Sequence, residues 1–283
     1  MNVIYSIINT ILPFTWLEPN FMKNAFLAVL IACPLFGILG TSVVSNKMSF
    51  FSDAIGHSAL TGIALGVIFG IRNITVSMLI FSWLLGFLII SVKIKGKSSA
   101  DTIIGVFSST SVALGIVLLS LGGNFKKYQK YLIGDILSIE PSEILMLVIC
   151  MMILLAVYII FYNKMILTNI HSVFAKSRGI KTFLIEQIFA LLTATIVTVS
   201  IRWTGLLVIN SLLVLPAAAS RMISKNSRQY VLRSVLISIA SGILGLSSSF
   251  YLGSASGASI VLVNAIFFVI CFVASLVRSS LKS

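Results

Sequence analysis

The chain has 283 residues, 58% of them hydrophobic and only 10% charged, with a formal net charge of +13. Soluble domains carry about 25% charged residues, and no polar stretch here is long enough to hold one. A mean hydropathy of +1.12 and apolar runs of about 17–25 residues read as a single multi-span membrane domain.

Nine apolar segments are predicted in chain order: 22–45, 48–70, 74–92, 102–121, 144–162, 183–201, 204–221, 231–250 and 257–277. Residues 1–21 form an outer or interfacial segment, 22–278 one transmembrane domain and 279–283 a cytoplasmic tail. The first sixteen residues lack a basic stretch, which speaks against a cleaved signal peptide. With the N-terminus outside, 14 of the 20 basic residues fall in inner loops. This asymmetry follows the positive-inside rule, and it explains the net charge without invoking nucleic acid. Cys33, Cys150 and Cys271 lie far apart in apolar segments and read as small core residues.

The second segment carries the most information. Ala54, Ser58, Gly62, Gly66 and Gly70 recur every four residues. Such a stripe lets a neighbouring backbone approach closely. Asp53, His57 and Thr61 form a second row, turned by about 100°. One helical turn separates Asp53 from His57, so carboxylate and imidazole can face one ion together. This donor pair suits Mn²⁺, Fe²⁺ or Zn²⁺ better than an ion that prefers all-oxygen ligands. At about 1.5 Å rise per residue, Asp53 lies about 9 Å and His57 about 15 Å beyond Lys47. That places His57 near mid-bilayer, where an ionisable group marks an ion or substrate path. Two structural roles stay open beside this one. Asp53 can cap a late-starting helix, and His57 can bond a neighbouring carbonyl. Two ligands are also too few for one ion. A two-fold dimer with this helix on its axis supplies four.

Further along, the outer loop 122–143 contains YLIGDILSIEPSE, with Asp135, Glu140 and Glu143 after three lysines. Glu186 lies early in the sixth segment and reads as a structural hydrogen-bonding partner or as a residue on or beside the ion path. The seventh carries Pro216 and is expected to be broken there. Arg202 and Trp203 are expected at the outer interface, with Trp203 as a belt residue. The short basic loop RMISKNSRQ, residues 221–229, follows on the inner side. The chain has no GxxxxGK[ST] phosphate loop and no HExxH motif, so neither ATP hydrolysis nor zinc-hydrolase chemistry is read in it.

Five stretches together resemble one family, the membrane permease subunits of bacterial ABC importers for manganese, zinc and iron(II). They are NKMSFFSDAIGHSALTGIALG, ADTIIGVFSSTSVALGIVLLS, YLIGDIL, GLLVINSLLVLPAAASRM and SGASIVLVNAIFF, in the family's order over roughly 22–278. The resemblance implies an all-α polytopic bundle of about 8–9 transmembrane helices, of the compact type II importer fold, in the bacterial cytoplasmic membrane. It implies a homodimer, a cytosolic ATP-binding-cassette ATPase that holds the ATP, and an extracytoplasmic metal-binding protein. It places Asp53 and His57 on the ion path, with the divalent metal as cargo and no cofactor bound by this chain. It assigns ATPase coupling to the inner loop: Ala217, Ala218, Ala219, Ser220, Arg221, Met222, Ile223, Ser224, Lys225 and Asn226. His171 stands where the family pattern leads one to expect an acid, and it reads as an inner-loop surface residue. The competing function is a secondary cation transporter or channel working without an ATPase. That function wants acids in several membrane helices, and this sequence offers few.

Overall fold

A computed structural model describes residues 14–96, 98–121, 134–170 and 172–280, with Tyr5, Ser6 and Thr10. His171 and the lysine-bearing stretch 122–133 lie outside the described residues. Among those described, the structure is helical throughout. In chain order the helices are α1 (Asn20–Ser45), α2 (Phe51–Ile68), α3 (Ile74–Lys95), α4 (Ala100–Leu121), α5 (Pro141–Ile170), α6 (Ser172–Ser177), α7 (Thr182–Thr204), α8 (Leu206–Ile223), α9 (Ser227–Leu252) and α10 (Ser256–Ser280). Eight of them (α1–α5, α7, α9 and α10) are long and apolar enough to cross a membrane. The apolar stretch of α8, Val208–Ile223, is shorter. In a bilayer a helix satisfies its own backbone groups, and for this reason every apolar run becomes one.

Local chemistry sets the ends. The Asn73 carboxamide accepts from the Thr75 N–H at 3.1 Å and starts α3. Gly253, at φ 62°, closes α9 in the left-handed turn that glycine adopts most cheaply. The break expected at Pro216 is not there. Pro216 sits inside a continuous α8, and the chain instead breaks one residue ahead of that helix, at Gly205 with φ 82°.

The fold divides into two compact units. One draws on Met1–Val44, Ile133–Met151 and Arg202–Ser283, the other on Ser45–Leu132 and Met152–Ile201. In the first, α1 meets α9 where the Ser234 hydroxyl donates to the Gly37 carbonyl at 2.8 Å. A methyl on Gly37 would lie 2.9 Å from the Val235 Cα, so glycine is required for that approach. Trp203 is a core residue here and not part of an interfacial belt. It is 2% exposed and stacks on Phe36 at 6.1 Å. Arg202 pairs with Glu140 at 3.4 Å and Glu143 at 3.2 Å, which gives two of the loop acids a partner.

Burial separates enclosed helices from boundary ones. The most apolar windows of α1 and α2 are 72% buried, that of α10 only 17%. The open face of α10 carries Leu262, Ile266, Val269, Val273 and Leu276, a composition that suits lipid.

Candidate functional site

The second unit is built around α2. The small-residue stripe meets α3. A methyl on Gly62 would lie 2.7 Å from the Met78 Cα, and one on Gly66 2.8 Å from the Ser77 side chain. Ala54 and Ser58 are buried in the same stripe. Gly70 does not belong to it. It lies beyond the helix end at φ 66°, with open space around it. The opposite flank of α2 meets α4, where the Thr61 hydroxyl donates to the Ser111 carbonyl. Thr61 is fully buried by that contact, so of the row it forms with Asp53 and His57 only those two stay open.

Asp53 and His57 remain. Between Phe51 and Ala64 they alone are not buried. The Asp53 side chain is 37% exposed and that of His57 27%. His57 Nε2 lies 3.6 Å from Asp53 Oδ2, too far for a hydrogen bond and close enough for both to reach one ion. Phe50 is the N-cap of α2 and no side chain caps that end, so Asp53 is not a cap. Its carboxylate sits in the first turn, where the helix dipole favours negative charge. Residues 46–50 make a turn, with Lys47 at φ 54°, and give no helical rise. His57 therefore lies about 9 Å from the start of a helix about 27 Å long. It occupies the N-terminal third of α2, not its middle.

Among the described residues, no group of three or more His, Cys, Asp and Glu could hold a metal. One copy of the chain thus offers two donors. Glu186 is engaged elsewhere. The Lys93 ammonium donates to its Oε2 at 2.8 Å and approaches the Met48 sulfur at 3.4 Å. This ion pair joins the end of α3 to the start of α7, and Met48 lies in the turn just ahead of α2.

The corner between α8 and α9 belongs to the first unit. Ala217, Ala219 and Ser220 are buried. The Ser220 hydroxyl donates to the Tyr230 carbonyl at 2.7 Å, and the Arg233 guanidinium donates to the Ile223 carbonyl. The Asn226 side chain accepts from the Gln229 N–H at 2.9 Å, while Gln229 accepts from the Lys225 N–H at 3.2 Å. This reciprocal cap makes a stiff corner. Its exposed surface is Arg221, Met222, Lys225 and Asn226, together with Ser227 and Arg228. Arg228 lay outside the ten-residue assignment, although its charge in a short inner loop could have flagged it.

The model of the family described as the ABC 3 transport family matches residues 18–275. The chain belongs to that family. It is 30% identical, over 82% of its own length and 89% of the relative's, to the high-affinity zinc uptake system membrane protein ZnuB of Haemophilus influenzae. It is 27% identical to the manganese import system permease protein ScaB of Streptococcus gordonii, covering 89% of this chain and 91% of that one. Among solved structures it is similar to a chain of PsaBC from Streptococcus pneumoniae in complex with Fab. The TM-score is 0.79 at 24% identity, with 96% of this chain and 95% of that chain covered. Both α2 and the α8–α9 corner lie inside the matched range, residues 18–275.

Proposed function

We propose that this ABC-3 chain is the permease subunit of a bacterial importer for a divalent transition metal, Mn²⁺, Zn²⁺ or Fe²⁺. Asp53 and His57, the two open residues of an otherwise enclosed inner stretch of α2, carry the reading. The ZnuB and ScaB names, zinc uptake and manganese import, agree with the donor chemistry. A second copy across a two-fold axis completes the site with its own Asp53 and His57. A cytosolic ATP-binding-cassette subunit supplies ATP hydrolysis and grips the stiff α8–α9 corner. An extracytoplasmic binding protein delivers the ion. Closure of the ATPase pair pulls on the corner, and the dimer alternates between outward- and inward-open states around the metal. The carboxylate and imidazole replace part of the ion's hydration shell as it passes.

The test is uptake of Mn²⁺ and Zn²⁺ by cells that carry the chain with its ATPase. Asp53→Asn and His57→Ala are each expected to lower uptake at least tenfold, with unchanged membrane insertion and ATPase association. Normal transport by both variants removes the pair from the path. Full transport without any ATPase favours a secondary transporter or channel instead.

A further inference from the structure

Three buried hydroxyls from three helices form a directed chain that ends beside the metal pair. Thr198 on α7 donates its hydroxyl to Ser82 Oγ on α3 at 2.9 Å. The Ser58 hydroxyl on α2 donates to the Ile55 carbonyl at 2.6 Å, which uses its one hydrogen. In the 3.4 Å contact between Ser58 and Ser82, the donor is therefore Ser82. Protons point one way, from Thr198 to Ser82 to Ser58 to the carbonyl of Ile55, which lies in the helical turn between Asp53 and His57. Ser58 and Ser82 are fully buried and Thr198 is 2% exposed, so water offers none of them an alternative.

We propose that Ser82 is a positioning residue for the Asp53–His57 pair, setting the roll of α2 about its own axis. This rests on the metal-path reading given above. The Ser77–Gly62 and Thr61–Ser111 hydrogen bonds hold the C-terminal half of α2, while the half that carries Asp53 and His57 packs through its smooth stripe, which leaves its roll soft. A hydrogen bond is directional and resists it. An imidazole about 6 Å from the helix axis moves about 1 Å for each 10° of roll. Metal ligation tolerates only about 0.2 Å, so a modest roll is enough to spoil the site. Ser82 is the single member of the chain that bonds α7 on one side and α2 on the other.

Two arms test this in membranes holding the full chain and its ATPase. In the first, Ser82→Ala is expected to raise the apparent KM for Mn²⁺ about three- to fifteen-fold, the range that one hydrogen bond within a membrane supports. Maximal rate and the amount of inserted protein stay unchanged. Because Ser82→Ala leaves a buried Thr198 donor without a partner, it can also destabilise the fold. The double variant Ser82→Ala with Thr198→Val removes that donor. It is expected to regain thermal stability and keep the raised KM, and a KM restored along with stability overturns the proposal. The second arm needs no metal. Asp53→Cys is alkylated with a water-soluble maleimide, with and without Ser82→Ala. The natural cysteines are buried, so the new thiol is the reporter. A rate changed at least twofold supports Ser82 as the residue that sets the roll, and an unchanged rate overturns it. If the natural chain imports no divalent metal, the metal reading fails by itself while the thiol arm still decides on Ser82.

Discussion

Asp53 and His57 gain their meaning from what surrounds them. An aspartate and a histidine one turn apart in grease are ambiguous, because a cap or a lone carbonyl bond accounts for either. Here Asp53 is not the N-cap residue and the two side chains stand 3.6 Å apart in the one open strip of α2's N-terminal half. Glu186 resolves the other way. Its carboxylate is held by Lys93 at 2.8 Å, with both side chains largely buried. Glu186→Gln leaves an ammonium without its counter-charge and is expected to cost about 1–3 kcal/mol. The exchange of Lys93→Glu with Glu186→Lys is expected to recover most of that in a thermal unfolding series. If the exchanged pair is no better than the single variant, the ion pair is not what holds α3 to α7.

The helices themselves differ in what they ask of each position. The stripe on α2 works through absence of side chain, and its cost of substitution depends on the neighbour. Gly62→Ala puts a methyl 2.7 Å from the backbone of Met78, so the helices must part, at about 1–3 kcal/mol. Gly105 on α4 has open space where a Cβ would go. Gly105→Ala is therefore expected to be neutral or to stabilise by up to about 1 kcal/mol through helix propensity. Melting curves of the two variants in detergent compare them, and equal losses would falsify the close-approach account. The α8–α9 corner is stiff for a different reason, its reciprocal Asn226–Gln229 cap. Lys225→Cys, on its exposed side, is expected to cross-link to the purified ATPase. Labelling of that cysteine only from outside the cell reverses the topology.

For the whole transporter the decisive quantity is stoichiometry. A single copy offers the proposed site two donors, and no group of three or more His, Cys, Asp and Glu occurs among the described residues. If two copies share one site, the purified assembly binds one ion per two chains at α2. Asp53→Asn in only one copy of a linked pair is expected to weaken binding by about tenfold or more. One ion per chain, measured by equilibrium dialysis, ends the shared-site reading.

Much of this was legible along the chain because the bilayer imposes a local rule. A run of about 20 apolar residues has to become a helix, since its peptide groups find no other partners there. All nine runs appear as helices, and the family read from the motifs is the one whose model matches residues 18–275. What stayed hidden depended on neighbours distant in sequence. Trp203 is in the core because Phe36 stacks on it. Thr61 left the open row because the Ser111 carbonyl, 50 residues away, accepts its proton. Ser220 turned inward to the Tyr230 carbonyl. Ser82 looked like any serine in an apolar run until Thr198 and Ser58 met at it. Hydropathy and spacing are properties of one helix, so the sequence alone determined the spans and the candidate pair. Which face of each helix is covered, and which hydroxyl is used up there, arises only when helices pack, and the structure had to decide it.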